Sequence, residues 1–151
     1  LLRDGKLVQV GSSDDLYRRP RDLFTAAFFS EINEFSGIVR NGHVATPLGV
    51  AEAPGIAEGR AVSIAVRLSG VGVSPDSGVI PARILSRRFL GVVELLELAI
   101  PGSERPVRSR MRADILPPGL RDATIAVNPH DILVFEKDSE TPYIGETENT
   151  E

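Results

Sequence analysis

The sequence predicts a mainly β chain, a small barrel or two related barrels, preceded by short N-terminal helices. Three observations carry that expectation. From Gly37 onward the residues turn β-branched, with glycine and proline at short intervals. Asn41-Gly42 stands between Ile38-Val39-Arg40 and His43-Val44-Ala45, the preferred pair for a type I′ hairpin. Finally, Gly59 ahead of Ala61 and Ile64-Ala65-Val66 is echoed by Gly119 ahead of Ala123 and Ile125-Ala126-Val127. The echo suggests two similar β units, and strands with glycine-rich turns favour a barrel over a βαβ arrangement.

The opening segment reads differently. Asp4-Gly5 between short apolar runs predicts a tight turn, because glycine takes φ > 0 without a Cβ clash. Gly11 ends the second strand, and Ser12 or Ser13 caps a short helix whose first turn holds Asp14 and Asp15, favourable against the dipole. Pro20 stops it. A second helix starts at Asp22, with Leu23, Phe24, Ala27 and Phe28 as its apolar stripe.

In the body, Pro47-Leu48-Gly49 breaks the extended run, and residues 51–58 read as a surface connection because alanine, glycine and proline offer little to bury. Arg60 to Leu68 alternates, with Val62, Ile64, Val66 and Leu68 on a core face. Val79 to Leu85 contains Pro81, which suits an edge or a bend because it lacks an amide donor. Gly91 separates Phe89-Leu90 from a long strand over Val92 to Ile100. After the turn at 101–106, Val107, Ser109, Met111 and Ala113 face one way and Arg108, Arg110 and Arg112 the other. Ala123 to Val127 and Ile132 to Phe135 are the last strands.

Charge is distributed unevenly. The net charge is -4, yet from Glu136 onward six acids stand against Lys137 alone, so the preceding body is almost neutral. A nucleic-acid binder needs a concentrated basic face, and this balance argues against one. Residues 137–151 read as an acidic disordered tail with too little apolar surface to offset ordering entropy. With no cysteine there is no disulfide or thiol chemistry, and no apolar run approaches the ~20 residues of a membrane helix.

Chemistry is sparse. The phosphate-cradling Gly-x-x-x-x-Gly-Lys-Ser/Thr pattern is absent, and no catalytic, cofactor-binding or metal-ligating set is assigned. His43 and His130 lack partners at ligand spacing and read as ordinary turn and edge residues. Arg108, Arg110 and Arg112 are the candidate anion or partner contact, weighed against a solvated face that protects a sheet edge. Phe89, Leu90, Val92 and Leu96 are the candidate interface with a second copy, weighed against a strand buried within one chain.

The ordered set Asp4-Gly5, Gln9-Val10-Gly11, Asp14-Asp15-Leu16-Tyr17, Arg18-Arg19-Pro20, Phe24-Thr25-Ala26-Ala27-Phe28-Phe29 and Glu31-Ile32-Asn33 resembles the ATP-binding subunits of ABC importers. The likeness is to the branch serving maltose, polyamines or ferric iron, where the ATPase domain passes into its C-terminal regulatory domain. His43-Val44-Ala45-Thr46-Pro47-Leu48-Gly49 resembles the first hairpin of that OB-fold-like, TOBE-type domain, and the combined pattern is most similar to ferric-iron importers. One departure is Arg67-Leu68-Ser69, where the family commonly has Arg-Pro-Glu.

The resemblance implies OB-fold-like TOBE barrel units, with residues 1–36 as the end of an ATPase domain, 37–136 as the regulatory domain and 137–151 as the tail. It implies a noncatalytic regulatory and dimerisation role, a second copy as partner, and membrane-embedded permease subunits reached through an ATPase domain. ATP and Mg²⁺ would bind the full-length protein, at the cytoplasmic side of the inner membrane, with no nucleic acid. The alternative is a free-standing OB-like module for an oxyanion, a small metabolite or nucleic acid.

Overall fold

The structure, a computed structural model, describes residues 31–137 throughout, the backbone of residues 2, 3, 6 and 7, and residues 23 and 26. The helix expected after Ser12, most of the one expected after Asp22, and the tail from Asp138 lie outside the described residues. Leu23 and Ala26 are both helical, and Ala26 is buried.

Among the described residues twelve strands follow in order: β1 Leu2–Arg3, β2 Lys6–Leu7, β3 Ile32–Ile38, β4 His43–Thr46, β5 Gly49–Glu52, β6 Ala61–Arg67, β7 Val71–Ser74, β8 Ile80–Leu90, β9 Val93–Ala99, β10 Val107–Arg112, β11 Asp122–Val127 and β12 Ile132–Glu136. Short 3₁₀ turns at Leu68–Gly70 and Pro129–Asp131 join β6 to β7 and β11 to β12. The mainly β expectation holds. Extended structure sets in at Ile32, earlier than Gly37, because Ile32 to Ile38 find a partner in β6 over their whole length.

Every pairing among the described residues is antiparallel. A five-stranded sheet runs β10-β9-β8-β11-β7, a three-stranded one β12-β6-β3, and β1-β2 and β4-β5 form ribbons. The larger sheet curls until its two edges meet, where Ser109 Oγ of β10 donates to the Val71 carbonyl of β7 at 2.5 Å. One core cluster links β4 and β5 to β6, β7, β8, β9, β10 and β11. The two Ile-Ala-Val echoes fall on β6 and β11, each an interior strand of its sheet.

Two sequence expectations change. Asn41-Gly42 makes the turn, with φ of 55° and 76°, but the strands it joins part after a single bridge between Arg40 and His43. Thereafter β4 pairs β5, so part of the segment assigned to the surface is a strand, and Ala51 and Ala53 lie in the core. Likewise β6 is not half buried: Ser63, Ala65 and Arg67 are buried along with Val62, Ile64 and Val66. Pro81 lies where β8 pairs β11 alone, which leaves its missing donor without cost.

Candidate functional site

Two surfaces of the β8–β9–β10 meander concentrate the chemistry. Leu90 and Val93 close the β8–β9 hairpin around Gly91 (φ 86°) and Val92, and a bulge between Ile84 and Ser86 resets the alternation of β8. Beyond the bulge Arg87 opposes Leu96, and Phe89 opposes Glu94, on the inner face.

Glu94 is fully buried, which a bare carboxylate could not tolerate. Arg87 meets it with two parallel hydrogen bonds, Nε to Oε1 at 2.7 Å and Nη2 to Oε2 at 3.0 Å, and Nη1 donates to the Pro117 carbonyl at 2.7 Å. The hydrogen bond to Glu94 raises the Arg87 pKa above the ordinary arginine value, against the opposite pull of desolvation. The guanidinium carbon also sits 5.8 Å from the Phe89 ring centroid. One side chain thus ties β8, β9 and the 116–117 segment together. Sequence reading missed the pair because Arg87 and Glu94 sit on different strands.

At the hairpin tip, Phe89 (62% exposed), Leu90 and Val92 (78%) face solvent, and Ile115 is also exposed on the segment that Ala113 fixes by donating to the Val92 carbonyl at 2.8 Å. Beside them lies a dimple of about 270 Å³ bounded by Phe89, Ala113, Leu116, Pro118 and Gly119. Leu96 does not join this surface. It is 1% exposed, because it sits further from the tip, opposite Arg87, and belongs to the core of its own chain.

The outer face holds the arginines. Arg108, Arg110 and Arg112 oppose Glu97, Leu95 and Val93 of β9, and those in turn oppose Ser86, Arg88 and Leu90 of β8. All three predicted arginines are exposed and share one face, and Arg88, on another strand, joins them. Arg108 Nη2 donates to the Ile32 carbonyl at 2.8 Å, Arg110 lies 4.0 Å from Glu31, and Arg112 Nη2 donates to Asp114 at 2.9 Å. Asn33 joins β10 to β3 by accepting from the Arg108 amide (2.8 Å) and donating to its carbonyl (2.9 Å). Between β3 and the 102–108 segment runs a groove of about 820 Å³.

Elsewhere, His43 places Nδ1 2.9 Å from the Asn41 carbonyl oxygen, and His130 is exposed in the second 3₁₀ turn. Among the described residues no three His, Cys, Asp or Glu side chains are grouped to hold a metal ion, and no helix is long and apolar enough to cross a membrane. Arg67, at the departure from Arg-Pro-Glu, is buried with Nη1 3.5 Å from Asp131 Oδ1.

No protein-family model matches the chain. The Fe(3+) ions import ATP-binding protein FbpC of Streptomyces coelicolor is 29% identical over 105 residues, 70% of this chain and 30% of that protein. The sulfate/thiosulfate import ATP-binding protein CysA of Methylococcus capsulatus is 38% identical over 58 residues, 38% of this chain and 17% of its own length. The chain thus spans less than a third of either relative. Among solved structures, the cytoplasmic molybdate-binding protein ModG matches with a TM-score of 0.53 at 17% identity, covering 70% of this chain and 96% of ModG, which shows a shared OB-like fold. The homologues of this chain are the ATP-binding subunits of ABC importers, and its fold is the OB-like, TOBE-type barrel.

Proposed function

We propose that this chain is the noncatalytic regulatory and dimerisation region of an ABC importer's ATP-binding subunit, of the ferric-iron branch. In that reading two copies pair and bias the opening and closing of attached ATPase domains, which bind ATP and Mg²⁺ and engage membrane-embedded permease subunits from the cytoplasmic side. The observation that supports it is the likeness, in sequence, to an Fe(3+) import ATP-binding protein over 70% of the chain. The exposed tip of Phe89, Leu90 and Val92 is the contact we assign to the second copy.

The test is removal of codons 32–137 from the gene in its host. Uptake of radiolabelled ferric iron should fall while sulfate uptake is unchanged. Unchanged iron uptake, or loss of sulfate uptake instead, overturns the ferric assignment. Reading frame ahead of Leu1 should encode a phosphate loop and a Mg²⁺-binding acid. The second reading, a free-standing oxyanion module, draws on the arginine face; calorimetric titration with molybdate that gives no saturable heat removes it.

A further inference from the structure

On the outer face of the β8–β9–β10 meander lies a further hollow of about 340 Å³, within the size range of small-molecule sites. Leu95 of β9 gives it an apolar floor. Ser86 and Arg88 of β8 border it on one side. Leu68 and Glu31 border it on the other, joined by the bond from the Leu68 amide to the Glu31 carbonyl at 3.3 Å. Glu97 and Arg108 complete it.

The charged groups around this hollow are of two kinds. Arg108 opposes Glu97 in register, yet its Nη2 turns to the Ile32 carbonyl at 2.8 Å, and Glu31 has Arg110 at 4.0 Å. Glu97 and Arg88 have no ion partner among the described residues. The Glu97 carboxylate accepts only from Ser86 Oγ, at 3.3 Å, and the Arg88 guanidinium makes no bond there. Arg88 opposes Leu95 while Glu97 opposes Ser86, so the ladder sets the two on a diagonal, where positions lie ~7–8 Å apart.

An opposite pair held apart over an apolar floor selects ligands by their pattern of charge. A bare oxyanion that reaches Arg88 also meets Glu97, and a bare ammonium on Glu97 meets Arg88. With Glu31 and Glu97 set against Arg88 and Arg108, the hollow offers neither ion a net attraction. A molecule carrying both charges satisfies both groups at once. In an α-amino acid the nitrogen and the carboxyl carbon are ~2.5 Å apart. With a charge-assisted hydrogen bond of ~2.8 Å at each end, it bridges a gap of about the diagonal's size.

We propose that this hollow binds a free α-amino acid, its carboxylate on Arg88, its ammonium on Glu97 and its side chain against Leu95 and Leu68. The assignment stands whether or not the chain is joined to an ATPase domain, and it gives the arginine face a ligand of a different class from an oxyanion.

The test is a titration of the isotope-labelled whole chain, followed by its amide resonances, with glycine, L-alanine and L-leucine. At least one should give saturable shifts centred on Arg88, Leu95 and Glu97. Acetate, propionate and 4-methylpentanoate lack the ammonium, and methylamine, ethylamine and 3-methylbutylamine lack the carboxylate. Each should bind at least about tenfold more weakly than the amino acid of the same skeleton, as the loss of one charge-assisted bond requires. Arg88→Gln and Glu97→Gln, both at exposed positions, should each weaken amino-acid binding about tenfold, whereas Arg112→Gln, outside the hollow, should leave it unchanged. Glu97→Gln should also narrow the gap between amino acid and bare carboxylate. No saturable shift with any of the three amino acids, or shifts centred elsewhere, overturns the proposal. A bare carboxylate that binds as tightly as its amino acid makes the hollow an anion site and overturns it too, as does binding that survives both Arg88→Gln and Glu97→Gln.

Discussion

Strands β6 and β8 are both interior members of their sheets, yet one is hidden and the other half open. Every residue of β6 from Val62 to Arg67 is buried, polar Ser63 and charged Arg67 included, whereas β8 past its bulge alternates and ends in the exposed pair Phe89 and Leu90. Rank in the hydrogen-bonding order therefore does not fix burial. Strand β6 is flanked over nearly its full length by β3 and β12; β8 loses β11 near Arg83 and projects onward with β9 alone. A two-stranded projection has fewer neighbours to cover it, and what covers its inner face is one ion pair.

The hardest test of that contrast is Glu94→Ala. Removing the partner of Arg87 inside the projection should cost about 4 kcal/mol in urea denaturation, since the hairpin and the 116–117 segment share that guanidinium. A loss below about 1 kcal/mol would mean water already reaches the pair. Next comes Ile64→Ala in β6, expected to cost about 3 kcal/mol, set beside Leu90→Ala in β8 at under about 0.5 kcal/mol. Equal losses would erase the distinction between the two strands.

Gly37→Ala should cost about 2 kcal/mol, because a Cβ there would collide with the buried Val44 side chain, on the β3 flank of β6. Thermal melting reads it, and a neutral result would show that Val44 can move aside. The smallest stability effect belongs to Phe89→Ser with Val92→Ser, within about 0.5 kcal/mol of the parent. In sedimentation across a concentration series the same pair should abolish reversible dimers. A dimer that survives both changes would place the contact between copies elsewhere.

Much of this was legible in the sequence, and the failures share a cause. Asn41-Gly42, the glycine at 91 and the alternation over Val107 to Arg112 are local signals, and they located a turn, a hairpin and an arginine row. Pairing partners are not local. Nothing in Ile38-Val39-Arg40 says that β3 joins β6, and nothing in Ala51 or Ala53 says that a small side chain is wanted in a core. Apolar character alone placed Leu96 with Phe89 and Leu90, but Leu96, although on the same inner face as Phe89, lies two residues further from the hairpin tip, opposite Arg87, and is buried in the core. Arg88 and Glu94 were overlooked because their meaning depends on cross-strand register, which a single bulged residue had shifted.

Asn33 has a consequence for the molecule's lifetime. Its side-chain amide stands in for a peptide unit, meeting both the amide and the carbonyl of Arg108 and so fastening two sheets at one residue. Deamidation is the ordinary ageing reaction of asparagine, and it would leave the acceptor in place while replacing the donor by a second acceptor that faces the Arg108 carbonyl. The fastening would become a repulsion without any change elsewhere. Aged protein, separated by charge and compared with Asn33→Asp, should show the same loosened β3–β10 seam in amide hydrogen exchange; indistinguishable exchange in fresh and aged samples would mean that the seam does not depend on this amide.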